Sequence, residues 1–499
     1  MKTEDILQQK KSVKDPTYCY VFAAACILFL HILFRYETEY LHEHLLIIPC
    51  LLLVGSKMTH RDRYQTRRIP WLSIIMVVWF ILLQVKRNAE HSQNTYVGPV
   101  LSTYLFAFPL ASLLQDGDEK KALRIFASAF LAAAAVQAIE GLLLILDCLP
   151  EFLSDSVVWD GSRLQVFWHP NINGCIFLIG NVFCSAYLFQ AKSRWSKLGL
   201  CILIIIMLVA LALTNSRTTI ILTSGYWGAT LFFKILKNGK KWFIPGIFAA
   251  LALMISLYIC SSQLYQTNTE ALIHKYTQEY LEQISSDNVE TTPSDAEKEV
   301  SAIVEQGDAA VADRQEETLP IKIDSNTGEI SLMTRSPQGS LKSNLNSLNG
   351  RTRIWRSAYY AICDNPDILY WGTHSPGQYV SPYLSYSIPH LHNSWIECLV
   401  GMGLVGFIIA ALLTLQTIWN CLVTLLKHYD DVWNRTVALL ALCLIAASAL
   451  EPYLFNTSVD FQPFNFLFFL CAGYLAHWQE GYNRQLLAAI RSRIPYPKK

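Results

Sequence analysis

Charged side chains are scarce in this sequence of 499 residues. Only 16% of the residues are Asp, Glu, Lys or Arg, whereas 52% belong to the hydrophobic set; an ordinary soluble domain has about 25% charged residues. The formal net charge is +1, so the chain lacks the basic excess expected of a protein that binds nucleic acid. This composition excludes a single soluble core and favours a protein that crosses a membrane several times.

Metal-binding cysteine patterns are also missing. None of the thirteen cysteines forms a Cys-x-x-Cys pair or a His/Cys cluster, so the sequence predicts no metal site. Most of them lie inside apolar runs, where cysteine is a small buried hydrophobic residue. The opening segment, residues 1–15, is polar and has no cleavage site, so we expect the first apolar run to be a retained anchor.

Long apolar runs are what the sequence has in place of charge. Crossing a hydrocarbon core of about 30 Å takes about 20 apolar residues, and backbone groups in lipid must form their hydrogen bonds within a helix. These criteria predict an all-α polytopic membrane protein of about twelve transmembrane helices. The predicted spans lie near 17–35, 41–57, 69–85, 95–114, 123–147, 172–190, 198–214, 218–236, 242–260, 394–419, 435–454 and 463–478.

Lysine and arginine in the short loops indicate the orientation, because cytoplasmic loops carry an excess of both. With twelve spans, four basic segments fall on the same side as the N-terminus. These segments are residues 59–68, 191–197, 234–241 and 484–499. We therefore expect both termini in the cytoplasm, and we expect loop 148–171, junction 214–219 and the segment from about 261 to 393 on the external face.

The long external segment divides the chain into three predicted regions. Residues 1–260 form a membrane region of nine helices, residues 261–393 a large external loop with short amphipathic helices, and residues 394–499 a membrane region of three helices with a basic tail. Part of the loop, 265–345, is predicted to be an acidic, partly disordered insertion, because fifteen acidic and six basic residues lie between 261 and 350. The insertion is either a solvated loop without catalytic importance or a part of acceptor recognition.

Two arginine positions stand out on the predicted external face. Arg217 lies between two apolar runs, where an arginine marks a substrate path or reaches out to the membrane interface. Arg351, with Arg353 as a competitor, stands near the start of a predicted amphipathic helix over 354–363. Guanidinium groups near a helix N-terminus favour phosphate, although such a helix also suits the surface of anionic lipid.

His392 is the third candidate, and it lies at the external end of the tenth predicted span with His390 as a competitor. A histidine there serves either as a general base or as a hydrogen-bonding residue at a helix start. Asn393 or the serine after it is expected to cap the following helix, and Glu397 to orient a histidine. Two arginines and a base at a membrane interface fit a lipid-linked diphosphate donor, whose leaving group the arginines would stabilise.

Four ordered segments carry a resemblance to a known family. They are "RLQVFWHPNING" at 163–174, "TNSRT" at 214–218, "GRTRIWRSAYYAICDNP" at 350–366 and "HLHNSWIECLVGMGLVGF" at 390–407. In their order and predicted topology they resemble motifs of the O-antigen ligase and O-antigen polymerase superfamily, which are glycosyltransferases of the bacterial inner membrane.

The resemblance implies transfer of a glycan from a polyprenyl diphosphate to an acceptor hydroxyl at the external face of the cytoplasmic membrane, without a metal or a nucleotide sugar. By motif position it implies that Arg217 and Arg351 bind the diphosphate and that His392 activates the acceptor. Arg163 is a further candidate for the same pocket, and Arg353, His390, Asn393 and Glu397 are candidates for substrate binding. The expected partners are the lipid-linked donor, a glycan, lipid or protein acceptor, and membrane lipid, but no nucleic acid.

Three functions remain open at the level of the sequence. A ligase joins a finished glycan to an acceptor, whereas a polymerase uses another lipid-linked repeat as the acceptor. A transporter or flippase of lipid-linked sugars would leave the donor intact. Its polar residues would be expected near the membrane midplane, where Glu140 and His31 are the clearest ionisable residues.

Overall fold

A computed structural model describes residues 17–33, 46, 48–53, 71–90, 118–153, 157–160, 163–286, 321–323, 330–332, 341–373, 375–384, 387–456 and 461–476. Its helices include α1 (Thr17–Leu33), α2 (Trp71–Glu90), α3 (Asp118–Ile145), α4 (Pro170–Gln190), α5 (Arg194–Leu213), α6 (Arg217–Leu236), α7 (Phe243–Ser286), α8 (Leu341–Asp364), α9 (Asp367–Trp371), α10 (Pro376–Val380), α11 (Ser394–Lys427), α12 (Val432–Ser448) and α13 (Gln462–Ala476). Two hairpins pair β1 (Val157–Asp160) with β2 (Arg163–Val166) and β3 (Ile321–Ile323) with β4 (Ile330–Leu332).

Most of the long helices are apolar. Within the described residues, α3, α4, α5, α6, α7 and α11 contain stretches that are long and apolar enough to cross a membrane, and α1, α12 and α13 are shorter apolar helices. The mostly helical structure agrees with the predicted all-α membrane protein, while the count of twelve spans stays a prediction. The span near 95–114 lies outside the described residues, and only 46 and 48–53 of the span near 41–57 are described.

Helix α4 lies in the middle of the membrane core. Every residue from 170 to 186 is buried, and the apolar sequence on all sides of the helix is typical of such a position. It contacts α3, α5, α6 and α12. A Cβ atom at Gly180 would lie 2.7 Å from the sulfur of Met207, so this glycine permits the close approach of α5. The candidate site begins at the first turn of α4, at one end of this buried helix.

The first hairpin departs from the all-helical prediction, as does the β3–β4 pair. Strands β1 and β2 are antiparallel, with Val157 opposite Val166 and Asp160 opposite Arg163. The first three residues of β1 are β-branched or aromatic and favour a strand, and a loop outside lipid is not restricted to helix. The hairpin places the buried side chain of Arg163 directly before α4.

Helix α11 is broken at Gly403, which has a φ of +70°. A side chain at this glycine would collide with a backbone carbonyl of α9, so α9 packs directly into the break. Trp79 Nε1 of α2 donates to the carbonyl of Met402 at 2.9 Å, and Thr373 N donates to the carbonyl of Val400 at 2.7 Å. These bonds satisfy carbonyls near the break in apolar surroundings and join the external loop to the core.

Two helices next to the insertion are longer than the sequence suggested. Helix α7 continues to Ser286, into the segment 265–345. Helix α8 begins at Leu341 and not near residue 354, and the sequence has further leucines four and seven positions later, a spacing typical of a helix. Arg351 thus lies ten residues after the helix start, and its expected place beside a helix N-terminus is wrong. The division into three regions stays a prediction.

Candidate active site

Four polar segments meet at one end of the membrane core. They are β2 with the first turn of α4, the middle of α8, the loop 387–393 before α11, and the loop 449–456 after α12. Each of them contributes a side chain or a backbone group to a cluster around Glu451, a buried carboxylate in the last of these loops.

Glu451 binds several donors at once. Its side chain is only 6% exposed, and its Oε1 accepts from Arg351 Nη2 at 2.6 Å and from Asn171 Nδ2 at 2.8 Å. Its Oε2 lies 3.5 Å from His392 Nδ1. Burial alone would raise the pKa of this carboxyl, but His392, Arg351 and His169 outweigh burial and hold the pKa of Glu451 at about 2. Glu451 is therefore a buried negative charge beside one arginine and two histidines.

Arg163 and Tyr453 hold Asn171 in place beneath Glu451. Arg163 is 3% exposed; its Nε donates to the carbonyl of Thr214 at 2.8 Å and its Nη2 to Asn171 Oδ1 at 2.7 Å. The hydroxyl of Tyr453 donates to the backbone carbonyl of Asn171 at 2.7 Å. The sequence placed Arg163 in the same pocket as the other arginine candidates, and the structure joins it to Glu451 through Asn171.

His392 lies at the mouth of the cluster, with 28% of its side chain exposed. At 3.5 Å its Nδ1 is too far from Glu451 for a strong hydrogen bond, so the contact is mainly electrostatic. Its φ of +51° is left-handed, a conformation that few residues other than glycine adopt, and Phe167, Asn215 and Phe455 in neighbouring segments share it. The backbone is therefore folded tightly where His392 faces the carboxylate.

His390 lies beside His392, with ring centroids 4.3 Å apart, and stacks on Phe461. Its Nδ1 is buried without a hydrogen-bond partner. Burial, and then the neighbouring charge of His392, lower the pKa of His390 to about 3. His390 is thus a neutral packing residue at physiological pH, which favours His392 of the two competing histidines as the proton acceptor.

Asn393 caps α11, as the sequence predicted. Its Oδ1 accepts from the backbone N–H groups of Trp395 and Ile396 at 2.9 and 3.0 Å, and its Nδ2 donates to the carbonyl of Ala449 at 2.7 Å. This side chain fixes the loop of His392 against the loop of Glu451.

Glu397 occupies a different place from the one expected. Its Oε2 accepts from the backbone N–H of Leu391 at 2.7 Å, so Glu397 fixes the chain next to His392. The carboxylate that faces the imidazole is Glu451. Ser394 adds a second connection between the loops, because its hydroxyl donates to the carbonyl of Glu451 at 3.0 Å and accepts from the N–H of Leu454 at 2.9 Å.

Arg217 and Arg353 lie differently with respect to this cluster. Arg217 is half-buried at the first residue of α6, and a Cβ at Gly174 would lie 2.7 Å from that of Ser216. The start of α6 therefore packs against α4 about one turn from Asn171. Arg353 is exposed, because residues two apart on a helix point in nearly opposite directions. Of the two competing arginines of α8, Arg351 enters the cluster.

Sequence reasoning missed Glu451, Asn171 and Tyr453 as members of the site. Glu451 was included in the predicted span 435–454, but α12 ends at Ser448. An acidic residue in a membrane span is unfavourable and marks a functional candidate, so this glutamate carried a signal. In the described part of the chain, no group of three or more His, Cys, Asp or Glu residues is placed to hold a metal ion.

Comparison with known families gives one match. Residues 202–411 match a family model described as O-antigen ligase. The matched region is less than half of the chain, includes Arg217, Arg351 and His392, and ends before Glu451. No curated protein matches the chain. Three of the four motif segments lie inside the match, and the resemblance that they indicated is confirmed.

Proposed function

We propose that this chain, a membrane protein of the O-antigen ligase superfamily, transfers a glycan from a polyprenyl diphosphate to a hydroxyl group of an acceptor. The observation that supports this proposal is the shared carboxylate. Glu451 gathers Arg351 from the external loop and His392 from the start of α11 at one point. An arginine suited to a diphosphate and a histidine suited to a hydroxyl are the groups that such a transfer needs.

Arg351 and Arg217 are the proposed ligands of the diphosphate. Arg351 Nη2 already binds a carboxylate oxygen at 2.6 Å, which is the geometry of a charge-assisted hydrogen bond. A diphosphate oxygen is the same kind of acceptor. Arg217 begins α6, and the N–H groups of a first helical turn also favour an anion. As the bond between sugar and diphosphate breaks, these groups would stabilise the charge of the leaving group.

His392 is the proposed base. The acceptor oxygen forms a bond to the anomeric carbon, while the bond from that carbon to the diphosphate oxygen breaks and its electron pair leaves with the diphosphate. The hydroxyl proton passes to the imidazole of His392. Because the ring turns Nδ1 toward Glu451, Nε2 is on the opposite side of the ring, where it can receive this proton.

We place the reaction on the external face of the cytoplasmic membrane. The site lies at the ends of α6, α11 and α12 that are formed by residues 214–217, 387–394 and 449–456. The opposite ends carry basic residues, and there Lys237 pairs with Asp430 at 3.4 Å. An excess of lysine and arginine marks the cytoplasmic side, which supports an external site and cytoplasmic termini.

The test follows release of polyprenyl diphosphate by the purified protein in liposomes, with a lipid-diphosphate-linked oligosaccharide and hydroxyl-bearing acceptors. We expect release by the wild type and by Arg356→Ala, and loss of release in Arg217→Ala, Arg351→Ala and His392→Ala. Arg356 is a matched control because it is exposed on α8, with its guanidinium 5.8 Å from the ring of Tyr360.

The fate of the glycan separates the alternatives. A finished acceptor that gains mass indicates a ligase, and a lipid-linked repeat that lengthens indicates a polymerase with the same donor chemistry. A donor that crosses the membrane of the liposome with its sugar–diphosphate bond intact would contradict transfer and favour a transporter. The position of the cluster at the helix ends, away from the midplane, supports transfer.

A further inference from the structure

One carboxylate contacts both halves of the proposed site. Glu451 Oε1 binds Arg351, the proposed donor ligand, at 2.6 Å, and Oε2 faces His392, the proposed base, at 3.5 Å. A diphosphate that binds Arg351 through Nη2 displaces Oε1 from that group, and one that binds through the other N–H groups still draws on the same positive charge. The occupancy of the donor site therefore changes what surrounds the carboxylate next to the base.

We propose that Glu451 is a positioning residue that couples donor binding to the readiness of His392 to accept a proton, an inference that rests on the proposed transfer reaction. Without the donor, Glu451 holds Arg351. With the donor bound, the diphosphate takes over Arg351, and the carboxylate is left to Asn171 and His392. His392 then activates the acceptor hydroxyl when a glycan donor is bound.

The contacts of the two partners indicate which one moves. Ser394 binds the backbone carbonyl of Glu451 at 3.0 Å, and Asn171, itself held by Arg163, binds its side chain at 2.8 Å. Arg351 belongs to α8, whose buried apolar residues pack with the external loop and Val400 of α11 in a small hydrophobic cluster distinct from the large core cluster. A shift of Arg351 toward a diphosphate thus disturbs fewer contacts than a shift of Glu451.

The carboxylate also selects the tautomer of His392. An ionised carboxylate only accepts hydrogen bonds, so the neutral imidazole presents Nδ1–H to Oε2 and leaves Nε2 unprotonated. Nε2 can then take the proton of an acceptor hydroxyl. The negative charge stabilises the imidazolium that forms, and it does so more strongly once Arg351 no longer neutralises it.

Glu451 has two proposed roles, holding Arg351 and supporting His392, and loss of its charge should affect donor binding and proton transfer in opposite directions. The charged and titratable groups that face it are Arg351 from α8, His392 and His390 before α11, His169 before α4, Cys175 in α4 and Tyr453 in its own loop. Removing the negative charge frees Arg351 for a diphosphate, so donor binding becomes stronger. The same change removes the partner of the imidazolium, so proton transfer becomes slower. Loss of a residue with a purely structural role would not strengthen donor binding and slow proton transfer at the same time.

The liposome assay of Glu451→Gln measures donor binding, as the KM for the donor, separately from proton transfer, as kcat. The glutamine keeps an oxygen for Arg351 and Asn171, but its amide donates to Nδ1 and thereby places the imidazole proton on Nε2. We expect the KM for the donor to fall, kcat to fall about 100-fold, and the acid limb of the pH–kcat profile to move to lower pH. Asp147→Asn is the matched control, because Asp147 is exposed and pairs with Lys275 at 3.0 Å away from the cluster; both constants should be unchanged.

Unchanged kcat and KM in Glu451→Gln, or a lower kcat with a raised KM, would overturn the coupling. If the glutamine variant does not fold, Glu451→Asp is the second test, because it keeps the charge but withdraws the carboxylate by one methylene. We expect it to lower the donor KM and to keep the pH profile, and a KM equal to that of the wild type contradicts the coupling. Failure of the transfer proposal gives a different result from failure of the coupling alone, because the wild type then releases no polyprenyl diphosphate. That result contradicts the coupling as well.

Discussion

Helix α12 has one carboxylate near each end, and the two are used differently. Before its first residue, Asp431 accepts from the N–H of Asn434 at 3.0 Å and pairs with Lys120 at 2.7 Å. Beyond its last residue, Glu451 binds Arg351 at 2.6 Å and faces His392. The first arrangement is a helix cap with one counterion. The second collects partners from three other segments of the chain.

The difference in exposure shows what each arrangement can contribute. The Lys120 and Asp431 side chains are 32% and 36% exposed, and such a pair stabilises a fold by about 0.2–1 kcal/mol. Glu451 is 6% exposed and Arg351 is 17% exposed, and burial of charged groups is a poor way to gain stability. An arginine and two histidines around one buried carboxylate are better explained by an anionic ligand, which supports the proposed donor site.

Replacing His392 should have the largest effect at the Glu451 end. We expect His392→Asn to lower glycan transfer about 1,000-fold, because the general base is lost, with the melting temperature unchanged. Asparagine tolerates the left-handed backbone at this position, so the loop is preserved. His428→Asn at the far end of α11 is the control and should keep full activity. Transfer at the wild-type rate by His392→Asn would exclude this histidine as the base.

Replacing the arginines of α8 tests which of them serves the donor. Arg351→Ala should lower kcat/KM about 100-fold, since it removes a group that stabilises the leaving diphosphate. Arg353→Ala should change kcat/KM less than about threefold, because this side chain is exposed on another face of the helix. Rates for both variants at several donor concentrations measure the difference. A greater loss in Arg353→Ala would move the donor site away from Glu451.

Much of this site could be predicted from the sequence because of where its polar residues stand. Charged or titratable groups at the boundaries of apolar runs are unfavourable in lipid and mark candidates for function. Three such groups are Arg217, Arg351 and His392. The predicted topology then put all three on the same side of the membrane. The family match covers these residues, and the structure brings Arg351 and His392 to one carboxylate.

The rest depends on contacts between distant segments, which spacing along the chain does not contain. Asn171 and Glu451 are 280 positions apart and lie 2.8 Å from each other. The end of α12 before Glu451 is stabilised by Asn393 and Ser394, which bind carbonyls of that loop. Because the apolar run continues past the end of α12, the predicted span 435–454 included the loop that carries Glu451. The helix phase separates Arg351 from Arg353, but only packing shows which of them faces inward.

Acid should weaken the Glu451 cluster more than the Asp431 cap. The pKa of Glu451 is held at about 2, below its ordinary value of 4.5, so its contribution to stability is present above pH 4.5 and is lost as the pH falls toward 2. We expect Glu451→Gln to be less stable than the wild type by on the order of 2 kcal/mol at neutral pH, and the difference in melting temperature to narrow below pH 5. A difference that widens in acid would mean that Glu451 is protonated in the folded protein.

Asp431→Asn should have the smallest effect. Asparagine caps a helix as well as aspartate does, so the variant loses the ion pair with Lys120 and keeps the bond to the backbone of α12. Burial raises the pKa of Asp431, but Lys120 and the helix N–H groups outweigh burial and bring the pKa below its ordinary value. The folded protein therefore favours the charged form. Because the pair is partly exposed, we expect a loss below about 1 kcal/mol and unchanged transfer in the liposome assay. A fall in kcat without loss of stability would show that α12 transmits a change from Asp431 to Glu451, and the two carboxylates would then not be independent.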